Sequence, residues 1–107
     1  MTFSVYLVSD AEEDLFDIYR YVTYNDSIDR ANSLIEKLKT VILKLETMPH
    51  RGHTPPELER IGVLDFREVF YKPYRIIYQV IEKNVYVHCI LDGRRDMQDT
   101  LQQRVLR

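Results

Sequence analysis

Cysteine, glycine and proline are scarce in this sequence, and tryptophan is absent: its 107 residues include one cysteine, three glycines and four prolines. A single cysteine, Cys89, excludes an intramolecular disulfide framework and is typical of the reducing cytosol. So few glycines and prolines leave no linker, and we expect one domain over residues 1–107. The sequence also lacks a run of about 18 apolar residues and a basic amino terminus followed by an apolar stretch. It therefore predicts a cytoplasmic protein with neither a membrane span nor a secretory signal.

The composition is that of a folded protein with a core, since hydrophobic residues make up 45% of the chain and charged residues 30%. The net charge of −2 conceals an uneven distribution. Residues 1–29 carry seven acidic side chains and one basic one, whereas residues 30–107 carry fourteen basic and ten acidic ones. This asymmetry has two interpretations: an anionic partner for one face of the protein, or an ordinary solvated surface.

Two amphipathic helices are predicted in the first half of the sequence. The segment 3–8 is β-branched and aromatic, as in a short strand, and Ser9 with Glu12 forms a capping-box pattern at the start of the first helix. Residues 25–27 predict a turn and a cap, and apolar residues then recur with a helical period over 28–47. A short connection between two long helices implies an antiparallel helix hairpin.

A sheet is predicted in the second half. Residues 50–62 contain two adjacent prolines and two glycines and are predicted to form a loop. Three strand-like segments follow at 64–71, 74–82 and 85–91, and the very short connections between them require antiparallel hairpins. Asp96 is placed to cap a final short helix. The order β-α-α-β-β-β-α predicts an α+β fold, with a helix hairpin packed on a largely antiparallel, twisted sheet.

Arginine occurs within the apolar strands and directly after them. It is always charged and presents a planar fork of donors suited to phosphate or carboxylate groups. We interpret these arginines, with nearby tyrosines, as a surface for a nucleic-acid backbone or an acidic peptide. The alternative is that the strand arginines pair with neighbouring acids. The residues are Arg67, Arg75, Arg94 and Arg95, with Tyr71, Tyr74, Tyr78 and Tyr86.

Histidine and cysteine offer little for catalysis. His88 is the only histidine predicted inside a strand, where it is suited to act as a general base, although a half-buried structural histidine is the more common case. Cys89 has no base predicted near it, and we interpret it as a core residue. His50 and His53 do not combine with these two residues at zinc-site spacing, so we expect no metal. No phosphate-binding glycine loop or nucleophile motif is present.

A set of short motifs is distributed over nearly the whole chain. They are Ala11-Glu12-Glu13-Asp14-Leu15 with Asp17-Ile18-Tyr19, Leu45 to Pro49 with Gly52, Pro55-Pro56-Glu57-Leu58, Gly62, Arg67-Glu68, Pro73-Tyr74-Arg75-Ile76-Ile77-Tyr78, and Ile90 to Asp96 with Leu101. In order and spacing these motifs resemble the RelE/ParE superfamily of small toxins from bacterial type II toxin–antitoxin systems, and the ParE branch in particular. The fold that this resemblance implies agrees with the element order predicted above.

The resemblance implies one of two activities. RelE-like members are ribosome-dependent mRNA endonucleases, for which the catalytic candidates here are Arg67, Arg75, His88 and Arg95. ParE-like members inhibit DNA gyrase and block replication without catalysis. The segment after Arg95 has no tyrosine, and Leu101 stands near where the RelE pattern has one, so the sequence favours the gyrase-inhibiting branch. The expected target-binding residues are Arg67, Tyr71, Arg75, Arg94 and Arg95.

A protein partner also follows from the resemblance. Such toxins are neutralised by a cognate antitoxin, a small and partly disordered DNA-binding protein that folds across the helix hairpin and sheet. We expect it to contact Tyr21, Tyr78 and Arg75, while gyrase, or the ribosome and mRNA, is the target. No cofactor is expected. An inactive antitoxin-binding module is a third interpretation, and the oligomeric state stays open.

Overall fold

The computed structural model describes residues 2–106, which form a four-stranded sheet with helices on both faces. Two long helices pack on one face and a short carboxy-terminal helix on the other, which is the predicted α+β arrangement. No helix within this range is long and apolar enough to cross a membrane. In chain order the elements are β1 (Ser4–Leu7), α1 (Ser9–Asn25), α2 (Ile28–Leu43), a 3₁₀ turn (Lys44–Glu46), α3 (Pro56–Glu59), β2 (Arg67–Tyr71), β3 (Tyr74–Ile81), β4 (Asn84–Asp92) and α4 (Gln98–Leu106).

The strands lie in the order β1-β4-β3-β2, so β1 and β2 are the edges of the sheet. Short turns connect β2 to β3 and β3 to β4, and both pairs are antiparallel as predicted. β1 is parallel to β4. A parallel pair needs a long connection, and here that connection contains both long helices and the other two strands.

Several element boundaries differ from the prediction. α2 ends at Leu43 and continues only as a 3₁₀ turn, and β2 begins at Arg67, later than its sequence pattern predicts. The turn between β3 and β4 is made by Glu82 and Lys83, so Asn84 already belongs to β4. Glu82 has a left-handed backbone with φ of 56°. Tight hairpin turns favour this conformation, but without a glycine the sequence gives no sign of it.

The helix hairpin and the sheet enclose the larger apolar core. Ser27 caps α2 as predicted, since its Oγ accepts a hydrogen bond from the Arg30 N–H at 3.1 Å. The predicted capping box of Ser9 and Glu12 does not form, because α1 already includes Ser9 and Val8 occupies the N-cap position. The buried members of this core are Ala11, Leu38, Ile42, Leu45, Val69, Tyr74, Ile76, Tyr78, Val85, Val87 and Ile90.

A second apolar cluster lies between the opposite face of the sheet and helices α3 and α4. The prediction of a loop without regular structure over residues 50–62 is wrong, because Pro56 begins the four-residue helix α3 and Leu58 anchors it in this cluster. Asp96 lies one residue before the N-cap position of α4, and its carboxylate accepts a hydrogen bond from the first helical N–H, that of Gln98, at 3.1 Å. The cluster consists of Leu58, Phe66, Ile77, Cys89, Met97 and Leu101.

One acidic side chain joins α1, β4 and α4. Because β1 ends at Leu7, the second half of β4 has no neighbouring strand on that side. The Asp14 carboxylate occupies this position and accepts a hydrogen bond from the Ile90 N–H at 2.9 Å. Arg104 of α4 donates to both Asp14 oxygens, at 3.1 and 2.9 Å, and to the His88 carbonyl at 3.2 Å. The pair therefore fastens the last helix to the sheet.

We expect Asp14→Ala to lower the free energy of unfolding by about 2–4 kcal/mol, because it leaves a largely buried guanidinium and a strand N–H without their acceptor. Urea unfolding followed by circular dichroism measures this change. Asp17→Ala is the matched control, since Asp17 forms an exposed pair with Arg20 on the same helix and its removal is expected to cost less than about 1 kcal/mol. Equal losses in the two variants would contradict the role assigned to Asp14.

Candidate functional site

Arg75 lies at the centre of a buried ion-pair network. Its guanidinium donates to both carboxylate oxygens of Glu57 at 2.7 Å, and its Nε donates to Glu68 at 2.6 Å. His53 Nε2 lies 3.2 Å from the other oxygen of Glu68. Arg75 is 9% exposed and Glu68 only 1%. Hydrogen bonds to Glu57 and then Glu68 raise the pKa of Arg75, and the bond to Arg75 holds the pKa of Glu57 below its usual range.

This network removes Arg75 from the predicted working surface. A guanidinium held by two carboxylates has no free donor fork to offer to phosphate or to an acidic peptide. The interpretation of Arg75 as a target-binding, antitoxin-binding or catalytic cation is therefore corrected: it fastens α3 to the sheet. Gly93 allows the chain to pass over it, because a Cβ there would lie 2.8 Å from Arg75 Cδ.

Arg67 and Arg75 lie on opposite faces of the sheet. Arg67 is the cross-strand partner of Tyr78 and shares its face, whereas Arg75, three residues before Tyr78, points to the other face. Arg67 donates to the carbonyl oxygens of His50 and Gly52 at 3.1 and 2.8 Å, which holds the segment that precedes α3. Arg67 and Arg75, which were predicted to belong to one working surface, therefore do not converge.

Tyr78 is completely buried. Its hydroxyl accepts a hydrogen bond from the Gly52 N–H at 3.1 Å, and burial raises its pKa. The prediction that Tyr78 contacts an antitoxin is wrong, because β3 is an interior strand and this side chain belongs to the core beneath the helix hairpin. A Cβ at Gly52 would lie 2.7 Å from the hydroxyl, so only glycine permits this contact.

His88 occupies a β-bulge. Ile77 pairs with Cys89 but the next residue of β3 pairs with Val87, which leaves His88 without a cross-strand partner. Its ring contacts the edge of Phe66, with 5.3 Å between ring centroids, and burial lowers its pKa. Among the described residues, no hydrogen bond or ring contact links its side chain to a candidate catalytic arginine, and its Nε2 is buried without a partner. The geometry is that of a packed, neutral histidine.

Cys89 is a core residue, as the sequence predicted. It is fully buried, and burial raises the pKa of its thiol to about 12, so it is not a nucleophile at neutral pH. Within residues 2–106, no group of three or more histidine, cysteine, aspartate or glutamate side chains is arranged to hold a metal ion.

A groove between α1 and the loop after β4 brings Tyr21, Arg94 and Arg95 together. We call this cavity of about 520 Å³ the arginine groove. The sequence identified these three side chains separately but gave no sign that one groove unites them. The sequence also gave no sign that aliphatic side chains and three aspartates line the same groove. The groove is lined by Asp14, Asp17, Ile18, Tyr21, Tyr74, Ile90, Leu91, Asp92, Arg94 and Arg95.

The charges in the arginine groove differ in how firmly they are held. Arg94 donates to both oxygens of Asp92, at 3.0 and 2.6 Å, and these bonds lower the pKa of Asp92 to about 2. Arg95 is exposed, and its side chain forms no ion pair within the described part of the chain. Tyr74 is nearly buried in the wall, and burial raises its pKa. Tyr71, a further predicted target contact, lines a different cavity, beside α2.

A family model described as the ParE toxin of type II toxin–antitoxin systems, parDE, matches residues 5–97. The chain belongs to the ParE toxin family. It is similar to Toxin ParE3 of Caulobacter vibrioides, with 27% identity over 84 residues that cover 78% of this chain and 80% of the relative. The predicted RelE/ParE resemblance is therefore confirmed, and the chain is a toxin of a type II system.

Two solved structures share the ParE-family fold. The chromosomal ParDE system of P. aeruginosa superposes with a TM-score of 0.71 at 17% identity, covering 84% of this chain and 95% of the other. The toxin–antitoxin complex RelBE2 of Mycobacterium tuberculosis superposes with a TM-score of 0.64 at 14% identity, covering 86% of this chain and 99% of the other. At these identities the likeness concerns the architecture alone.

The low pKa of Glu57 is expected to make stability depend on pH. Because folding lowers this pKa from 4.5, the ion pair with Arg75 contributes fully above that pH and is lost as the pH falls through the folded-state value. We expect Glu57→Gln to lower the free energy of unfolding by about 2 kcal/mol at pH 7, and the difference from the wild type to shrink progressively as the pH falls below 4.5. Urea titrations across this range test it. Glu59→Gln, exposed on the same helix, should keep the wild-type pH dependence.

Proposed function

We propose that this ParE-family toxin acts by binding and inhibiting DNA gyrase, and that the arginine groove is its contact surface. The observation that carries the proposal is the neutralisation of Arg75 by Glu57 and Glu68, which leaves Arg94 and Arg95 as the predicted arginines that still face solvent. These two follow each other in one loop beside the exposed ring of Tyr21. A surface that combines cations with an aromatic side chain is suited to binding an acidic protein surface.

The endonuclease alternative has weak geometric support. Cleavage of RNA requires a proton acceptor near the 2′-hydroxyl and cations around the same phosphate. The candidates for these tasks are divided between the two faces of the sheet, and the acceptor, His88, is packed against Phe66. The segment 96–106 contains no tyrosine that could take over the role of proton acceptor. A binding mechanism therefore fits the residues better than a catalytic one.

The charges of the groove suit reversible binding. The Arg94–Asp92 pair is exposed on the arginine side, where water screens the attraction, so a partner carboxylate can replace Asp92 at little cost. Arg95 forms no ion pair in the described part of the chain, so it can bind a partner carboxylate without first releasing an acid of its own. The family membership also supports a cognate antitoxin as the neutralising partner, and Tyr21, with 64% of its surface exposed, is a contact that we propose for it.

We expect Arg94→Glu with Arg95→Glu to raise the toxin concentration needed to inhibit gyrase supercoiling at least about tenfold, because two cations become two anions in one groove. The measurement is a supercoiling assay with purified gyrase and a toxin titration. Lys39→Glu, an exposed change of the same kind on α2, is the control and should inhibit like the wild type.

Full gyrase activity at saturating wild-type toxin would overturn the proposed target. If ribosome-bound mRNA were then cut, the RelE-like activity would replace it. If expression without an antitoxin left growth unchanged, the inactive module would replace both.

A further inference from the structure

The arginine groove is large enough to hold a small molecule. Its volume of about 520 Å³ lies within the range of about 300–1,000 Å³ that ligand cavities in proteins occupy. The path of the chain creates it: β1 ends at Leu7, and helix α1 then lies beside the second half of β4, where Asp14 accepts the Ile90 N–H. A helix is about 10 Å wide with its side chains and cannot approach as closely as a paired strand at about 4.8 Å, so a groove remains.

Most charges in the arginine groove are neutralised inside the protein. Each of the three aspartates that line it is paired with an arginine. The pairs are Asp14 with Arg104, Asp17 with Arg20 and Asp92 with Arg94. Of the charged residues that line the groove, Arg95 alone forms no ion pair within residues 2–106. The groove therefore offers a ligand a single unbalanced positive charge.

Two phenol groups lie at the same end of the groove as the arginines. Burial raises the pKa of Tyr74, the charge of Asp92 raises it further, and Arg94 lowers it, so its hydroxyl lies near that ion pair and stays protonated at neutral pH. Tyr21 acts electrostatically on both Tyr74 and Arg94, which places its own hydroxyl at this end. Bonds from Arg94 and then the charge of Arg95 lower the pKa of Asp92, so Arg95 is nearby as well. Protonated phenols donate hydrogen bonds, so this end of the groove presents donors to an anion.

The rest of the lining is apolar. Ile18 and Ile90 line the groove beside Tyr21, most of whose side chain is exposed. An aliphatic surface next to a tyrosine ring suits a flat aromatic group, which buries a large apolar area and gains further from contact between rings. The groove thus combines a surface for an aromatic body with donors and one free cation for a single negative charge.

We propose that the arginine groove is a binding site for a small aromatic carboxylate. The ring of the ligand packs against Tyr21 and the two isoleucines, and its carboxylate accepts hydrogen bonds from Arg95 and Tyr74. A ligand bound in this way covers Arg95 and Tyr21, so it competes with gyrase for the groove. This competition rests on the proposed function, whereas the binding of the ligand does not depend on the target.

Other anions fit the groove less well. A phosphate monoester carries between about one and a half and two negative charges at neutral pH, and a nucleic acid adds one for each phosphate, whereas the groove has one free cation among three aspartates. A single planar carboxylate matches the fork of the Arg95 guanidinium without bringing further charge towards those acids. Inorganic phosphate and oligo(dT) are therefore the competing probes.

The test uses the full toxin and indole-3-acetate as the probe, with binding followed by the NMR chemical shifts of the backbone amides. We expect saturable shifts along the groove. Arg95→Gln should weaken the affinity at least about fivefold, because the charged hydrogen bond is lost, and Tyr21→Ala at least about threefold, because the ring contact is lost.

Matched controls are available outside the groove. Arg51→Gln removes an exposed arginine and Tyr24→Ala an exposed tyrosine, and neither residue lines the groove. Both should change the affinity less than about twofold, because surface substitutions away from a contact have small effects. Circular dichroism of all four variants checks that the fold is kept.

Three results would overturn the ligand site: equal affinity for the neutral indole-3-acetamide, equal affinity of Arg95→Gln and the wild type, or tighter binding of inorganic phosphate or oligo(dT) at the same residues. No saturable shift with indole-3-acetate would overturn it as well.

Competition with gyrase is a separate measurement. At about ten times its Kd, indole-3-acetate should raise the toxin concentration needed to inhibit supercoiling about tenfold, with gyrase and the probe alone as the control. Binding of the probe without relief of inhibition would reject the groove as the gyrase contact and leave the ligand site standing. Binding by a toxin that leaves gyrase active without the probe would reject the target alone.

Discussion

The contact of one guanidinium with two carboxylates organises the face of the sheet on which helices α3 and α4 pack. Arg75 binds Glu57 and Glu68 at 2.6–2.7 Å in a nearly buried position. Breaking a buried pair costs about 3–5 kcal/mol, several times the value of an exposed pair. Glu57 belongs to a helix of four residues, too short to be stable by itself, so this contact and the burial of Leu58 keep α3 in place. The side chain of Gln98, at the start of α4, then donates to the Glu57 carbonyl at 2.7 Å.

A second ion pair performs a similar task at the other edge. β1 is only four residues long, so the strand beside it would expose unpaired backbone groups beyond Val87. Asp14 accepts the N–H of Ile90 there, and Arg104 covers the same carboxylate from α4. These two charges are thus used inside the protein, where they hold helices against the sheet.

The cations that remain available lie outside the strands. Both faces of the sheet are covered by helices, so Arg75 on the interior strand β3 is buried. Arg67, on the edge strand β2, is held by the carbonyl oxygens of His50 and Gly52. A loop and a surface helix are not covered in this way. The arginine groove is accordingly built from the loop after β4 and from the exposed side of α1.

The sequence by itself determined the order of the strands and of every helix except α3, the antiparallel hairpins, the cap at Ser27, the core position of Cys89 and the family, because periodicity, turn length and motif order are local properties. Only the tertiary structure decided which charges are free. Arg67 and Arg75 both occur within apolar strand segments and have similar local sequence patterns. Residues far from them in sequence, Glu57 above all, nevertheless determine their environments. The pairing of β1 with β4 and the position of Asp14 also depend on contacts between residues that are far apart in the sequence. A local sequence pattern does not show which distant residues come into contact.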